Sequence, residues 1–386
     1  MYDFDKIIDR KNTNCVKYDL RKAVFGYEDV LPMWVADMDF ETPDFAREAV
    51  MKRAEHPVYG YHFKDEAYYK SIQAWLWRHH QWKTEVEWMS FVPGVVCGFN
   101  MAVMAFTNEG DEIIIQSPVY PPFHHAVTGH QRKLIYNTLK VGERGYEMNF
   151  DLLEKQAKTA KMLILCNPHN PVGRCWTRDE LLRVSEICLR NNVLVVSDEI
   201  HCDLVLPGFK HVPYATLSEA AAAHCIVFHA ASKTFNLAGL ATSTAIIPNQ
   251  ELRVRFNDYV HSMEAELGNI FGKEATQASM EQGDEWLSQL LGYVQGNIDY
   301  VSEFIRMNLP QVRFFKPQAT YMMWFDFNGF GLSEEALWHK MTQEAHLGFN
   351  RGKEFGQEGS GFFRINLACP RATVEEAMRR LKAVFG

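Results

Sequence analysis

The sequence predicts an α/β protein: a mainly parallel sheet covered by helices on both faces, followed by a smaller α+β domain. Short, uniformly apolar runs alternate with amphipathic stretches through the middle of the chain, the pattern of strands buried on both sides. Beyond residue 286 the character changes to aromatic strand-like runs and two amphipathic helices. The 386 residues, 47% apolar and 13% aromatic, exceed one simple core and suffice for two domains.

In chain order, "EIIIQSP" (112–118), "MLILCNP" (162–168), "VLVVSDE" (193–199), "CIVFHA" (225–230) and "TSTAIIP" (242–248) read as buried strands. Between two of them, "RDELLRVSEICLRNN" (178–192) reads as an amphipathic helix. Toward the end "VRFFKP", "TYMMWFDF" and "FFRINLAC" are expected strands, and "SEEALWHKMTQEA" and "TVEEAMRRLKAVF" expected helices. The expected organisation is an N-terminal arm with part of the small domain (1–44), a large domain (45–285) and a C-terminal small domain (286–386).

A formal charge of −8 and the lack of a basic stripe exclude nucleic acid as a partner. The amino terminus is charged from its third residue, and no apolar run reaches the length of a membrane span, so a soluble, cytoplasmic protein is expected. The eight cysteines form no C-x-x-C and several lie in apolar runs, which predicts reduced structural thiols. His79–His80, His124–His125 and "HCD" (201–203) gather metal-ligand types, but adjacent histidines point apart on most backbones, so no metal site is expected.

Open parallel sheets bind ligands at the carboxyl ends of their strands. There the sequence is unusually polar. "NPHNPVG" (167–173) demands a fixed turn that would aim Asn167 and Asn170 into one crevice. "VLVVS" runs into Asp198, with Glu199 and His201 following, and a carboxylate at a buried strand end needs a cationic or protonated partner. Lys233, in "HAASKTFNLAG", is expected in a loop after a strand. Pro93–Gly94 precede an apolar helical run whose first-turn N–H groups could hold a phosphate. Tyr120, in a proline-locked turn, could stack on a flat ligand. Arg364 alternates with Phe363 and Ile365, and an arginine drawn into such a strand faces a carboxylate, the protein's own or a substrate's.

Together these features match pyridoxal 5'-phosphate, which needs a lysine for its Schiff base, a carboxylate at its pyridine nitrogen, a donor to its phenolic oxygen and donors to its phosphate.

Over essentially its whole length the sequence also resembles the pyridoxal-phosphate enzymes of the aspartate aminotransferase fold (fold type I), and within them the MalY/PatB branch of cystathionine β-lyase-like C–S lyases. The resemblance is carried by "DFDKIIDRKNTNCVKYD", "WVADMDF", "YGYH", "PGVV", "SPVYPPF", "NPHNPVG", "VSDEIHCDLV", "ASKTFNLAGL" and "GFFRINLACP". It implies that Lys233 forms the Schiff base and Asp198 pairs with the pyridine nitrogen. Asn167 is placed with the cofactor-binding residues, Asn170 and His201 contact the phenolic oxygen, and Tyr120 stacks on the ring. Val95, Val96 and Ser232 hold the phosphate, with Tyr61 reaching in from the other subunit of a homodimer. Arg364 grips the substrate α-carboxylate, with Tyr120 and Asn170 beside it. His201 stands where many transaminases have tyrosine, and Ala241 replaces their phosphate-binding cation.

The resemblance implies α,β-elimination on an amino-acid thioether such as cystathionine, giving a thiol, pyruvate and ammonia. The residues themselves do not separate this from transamination, nor exclude a cofactor-binding protein with a regulatory role. A dicarboxylate transaminase would need a second cation, for which Arg351 is the nearby candidate, though a solvated loop arginine is the simpler reading. Trp34, Tyr321, Met322 and Met323 fit either a thioether pocket or strand core.

Overall fold

The computed structural model describes residues 2–143 and 145–386. Among them, the strands β1 (Met89–Val92), β2 (Glu112–Ile115), β3 (Lys133–Tyr136), β4 (Met162–Cys166), β5 (Leu194–Asp198), β6 (Cys225–His229) and β7 (Ser243–Ile246) form one sheet in the order β1-β7-β6-β5-β4-β2-β3. Pairings among β2 to β6 are parallel, and β7 is antiparallel to both β1 and β6. The five expected buried strands are all present in this sheet.

Their uniform hydrophobicity follows from burial on both faces. In β4, the two-residue period sends Met162, Ile164 and Cys166 into one core and Leu163 and Leu165 into the other. On the first face lies α2 (Val95–Phe106), and against the second packs α3 (Arg178–Arg190). A capping box between Thr177 and Glu180 starts α3 where the sequence places it. Helix α1 (Glu66–His80) packs its buried Trp75 into the second core.

A second sheet joins β8 (Arg313–Phe314), β9 (Met322–Asp326), β10 (Asn350–Arg351) and β11 (Phe362–Asn366) in the order β8-β9-β11-β10, all antiparallel. It shares its core with α4 (Asp284–Asn308) and α5 (Arg371–Phe385). The expected helix in "SEEALWHKMTQEA" forms over Glu334–His339 and then widens to a π turn at Lys340–Glu344. Leu31–Pro32 pairs with Leu347–Gly348, so the amino-terminal segment lies along the later part of the chain. No helix of the described residues is long and apolar enough to cross a membrane.

Register is what makes a site. Cys166 lies opposite Asp198, and Asp198 opposite Phe228, so β4, β5 and β6 deliver their following residues to one edge of the sheet. Helix α2 reaches the same edge because Gly98 has no side chain: a Cβ there would collide with the ring of Phe228 on β6. Gly98→Ala is therefore expected to destabilise the protein by about 1–3 kcal/mol, the usual cost of overpacking a filled core. Chemical denaturation would register this as a lower midpoint, and an unchanged midpoint would contradict so tight a crossing.

Candidate active site

At that edge lies a cavity of about 180 Å³, walled by Val95, Val96, Tyr120, Asn170, Asp198, His201, Ser232 and Lys233. Eight of the residues singled out in the sequence thus meet in one place. Lys233 is not on a loop as expected but on one helical turn, Ala231–Thr234. A single turn is too short to display a helical period, so the sequence could not show it.

The turn aims Lys233 across the cavity mouth, where Nζ donates to the Ala36 carbonyl at 2.6 Å. The Tyr321 hydroxyl donates to the same oxygen at 3.0 Å. Burial, and then the Arg364 charge, lower the Lys233 pKa to about 8, against the pull of Asp37 and Asp198. A lysine so shifted has a neutral amine available near physiological pH.

Asp198 is buried and accepts from the Ile200 N–H at 3.1 Å, but no cation among the described residues forms an ion pair with it. Burial raises its pKa to about 7, with the Ile200 N–H and Lys233 pulling the other way. A buried carboxylate in this state calls for a protonated partner from outside the chain. His201 is buried beside it, with Nδ1 unpartnered. Burial, then Lys233 and Arg364, lower its pKa to about 3, so the ring is neutral and its free nitrogen is available to a ligand.

Across the cavity, α2 begins at Gly94, whose φ of +115° suits glycine and which supplies no side-chain cap. The Gly98 N–H to Gly94 carbonyl bond of 2.9 Å opens the helix ladder. The N–H groups of residues 95–97 are therefore left for an anion, with the Ser232 hydroxyl in the same wall. Ala241, in the left-handed region at φ +44°, lines this end with no charge to offer. An acid-partner demand at one end, anion donors at the other, and an amine between them fit pyridoxal phosphate.

Arg364, on β11, is buried and joins the cavity through Asn170, whose Oδ1 accepts from Nη1 at 3.0 Å. Its Nη2 donates to the Trp34 carbonyl at 2.9 Å and to Asn350 Oδ1 at 2.6 Å. Nε has no partner, and the guanidinium lies 4.8 Å over the Phe355 ring.

Several expected residues fall elsewhere. Asn167 does not wall the cavity: its Nδ2 donates to the Val212 carbonyl at 3.1 Å, and its Oδ1 is buried without a partner. Arg351 is neither a second cation for the cavity nor a solvated arginine, since it pairs with Glu334 and Glu335 and stacks over Trp338. Met322 and Met323 are fully buried strand core. The Tyr61 side chain is 95% exposed, outside its own chain's cavity.

Behind Lys233 lies a network that sequence reasoning missed. Asp203, buried, accepts from Trp75 Nε1 at 3.0 Å, from Thr234 Oγ1 at 2.8 Å, and from His80 Nε2 at 2.7 Å. Burial opposes its charge, but the hydrogen bonds outweigh it and hold the carboxyl well below the usual range. Burial keeps His80 below its ordinary value, so the pair is a neutral imidazole donating to a carboxylate. Next to it His211 and Ser197 donate to Glu199 at 2.8 Å each. The available signal was the density of charge in "SDEIHCD", directly after a buried strand.

Asp203 ties α1, the turn carrying His201 and the turn carrying Lys233. Asp203→Ala is expected to cost about 3–5 kcal/mol, since it orphans several buried donors at once; a calorimetric scan showing a near-normal midpoint would refute this. A second expectation concerns pH. A carboxyl whose folded pKa is raised contributes stability that is full below its unfolded value and lost as pH rises through the folded one. The cofactor-stripped protein should therefore lose stability from Asp198 as pH climbs from near 4 to about 7. Asp198→Asn should flatten that part of the profile, and identical slopes for both proteins would disprove it.

The aminotransferase class I and II family matches residues 28–381. Cystathionine beta-lyase PatB of Bacillus subtilis is 40% identical over 99% of this chain and 100% of its own. Protein MalY of Escherichia coli is 30% identical over 99% and 98%. A solved pyridoxal-phosphate-bound C–S lyase from Staphylococcus hominis superposes with a TM-score of 0.92 at 31% identity, over 100% of this chain and 98% of that one. With its sheet, its strand-end cavity and these full-length matches, the chain belongs to the aminotransferase class I and II family, in the branch of cystathionine beta-lyase PatB and protein MalY.

Proposed function

We propose that this protein is a pyridoxal-phosphate-dependent carbon–sulfur lyase that eliminates a thiol from L-cystathionine or related cysteine S-conjugates, leaving pyruvate and ammonia. One observation carries the reading: a lysine amine and an ion-pair-free buried aspartate share one cavity, which ends at an uncapped helix and is joined through Asn170 to an ion-pair-free buried arginine. Elimination is favoured over transamination by full-length relatives that carry the lyase name.

When bound, pyridoxal phosphate supplies an electrophilic carbon for the substrate amine and a conjugated ring that accepts the electron pair released from the Cα–H bond. The residues of the chain do the rest. Arg364 grips the substrate carboxylate and so fixes which Cα bond faces Lys233. Lys233 Nζ, with its pKa near 8, takes the Cα proton as a general base. Asp198, buried and with its pKa raised to about 7, would share a proton with the pyridine nitrogen. His201 and Asn170 would hold the phenolic oxygen, Tyr120 would wall the ring, and the N–H groups at Val95 and Val96 with the Ser232 hydroxyl would hold the phosphate. The Cα–H pair would end as a Cα=Cβ bond while the Cβ–S pair departs with sulfur as a thiolate, and water would hydrolyse the released enamine to pyruvate and ammonia.

The same reading makes the working form a cytoplasmic homodimer. Tyr61 exposes 95% of its surface beside exposed Tyr59 and Phe63, on a segment without helix or strand. Such a tyrosine, useless to its own cavity, suits the phosphate of a second copy.

The test is pyruvate and ammonia release from cystathionine with no keto acid present. Steady release is expected, and Lys233→Ala should slow it by about 10²–10⁴-fold. Product formed solely when a keto acid is supplied would make the protein an aminotransferase instead.

A further inference from the structure

Arg364 is a buried guanidinium whose hydrogen-bond partners are all neutral. Asn170, Asn350 and the Trp34 carbonyl accept from it, and no carboxylate among the described residues pairs with it. One carboxylate stands beyond Asn350. Glu354 Oε2 lies 3.4 Å from Asn350 Nδ2, on the far side of that amide from the guanidinium. Glu354 also acts on Arg364 through its charge.

An amide is suited to this position by its chemistry. Arginine can only donate and an ionised carboxylate can only accept, so a residue between them must accept at one end and donate at the other. Asparagine does both, and the two partners fix which way its amide faces. Its place is set by the backbone: Asn350 on β10 is the direct cross-strand partner of Arg364 on β11. A side chain there meets the guanidinium whatever its identity.

We infer that Asn350 is a specificity-determining residue: its amide oxygen accepts from the Arg364 fork without bringing a negative charge to it, and so reserves the arginine's charge for a substrate carboxylate. The inference rests on Arg364 being the carboxylate site. A carboxylate at position 350 would supply an internal counter-ion at hydrogen-bond distance, and every incoming amino acid would have to displace it.

The experiment measures amino-acid binding to the holoenzyme by the change in visible absorbance on titration with L-alanine, which has no Cβ leaving group, beside kcat and KM for cystathionine. Asn350→Asp is expected to weaken alanine binding and raise KM by about 10- to 100-fold, with kcat within about threefold. Asn350→Ala, which removes the acceptor without adding charge, should shift binding by about threefold or less. A purely architectural role would not separate these two variants. Equal losses in both would overturn the inference, as would wild-type binding in Asn350→Asp. Arg364→Ala separates the two layers: if it binds alanine normally, the assignment of Arg364 itself has failed, whereas a large loss there with no effect of Asn350→Asp defeats the role of Asn350 alone.

Discussion

Everything at the site depends on charge held out of water without an ion pair. Asp198 and Lys233 line one cavity, Arg364 adjoins it through Asn170, and each is displaced from its ordinary pKa by burial before any neighbour acts. Left to themselves such groups would pair with one another or neutralise. The strand register prevents it: Asp198 ends β5, Lys233 follows β6, and Arg364 belongs to a different sheet, so none can reach another's ideal distance. The chain thus stores demand for a cation at one point, for an anion at two, and leaves a ligand to meet all of them.

Holding that arrangement is costly, and the structure offsets the cost close by. The Asp203 network is the reverse of the cavity, a buried carboxylate that accepts from three side-chain donors. Thr234, its hydroxyl donor, is the residue next to Lys233, so the satisfied charge anchors the turn that presents the unsatisfied one. Fully satisfied polar groups rigidify their surroundings, and partly satisfied ones invite movement or ligand. Placing the two back to back gives a reactive lysine on a fixed support.

Much of this was legible in the sequence. "MLILC", "VLVVS" and "CIVFH" could only be strands buried on both faces, and the polar residue after each could only lie at one edge of the sheet. That logic found Asn170, Asp198 and Lys233 without reference to relatives. It erred at Asn167 because a turn sequence fixes where a backbone goes and not which of two asparagines faces the crevice. It left Tyr321 to Met323 open because alternation on a strand of the second sheet is the same for core and for cavity wall. It weighed His80 and Asp203 separately as metal-ligand types and not as partners, since they are distant in sequence and meet through α1.

The least legible part is the strap of residues 33–40, whose contribution is backbone rather than side chain. The Trp34 carbonyl accepts from Arg364 and the Ala36 carbonyl from Lys233, while the Val35 and Asp37 carbonyls accept from Asn366 at 2.7 and 2.6 Å. No residue identity encodes those carbonyls. What the sequence does encode is the means of fixing them: Asn366 clamps the strap from the second sheet, and Asn236, three residues after Lys233, clamps it from the first by donating to Met38 and Phe40 carbonyls at 3.1 Å each. Lys17, 1% exposed, then binds Asp39 at 2.7 Å and holds the strap from outside. Two cationic side chains of the site are thereby tethered to one bent segment that both sheets grip. Any shift of one sheet against the other must therefore move Arg364, Lys233 and the strap together, which makes the amino-terminal segment a part of the site's geometry and not a covering laid over it.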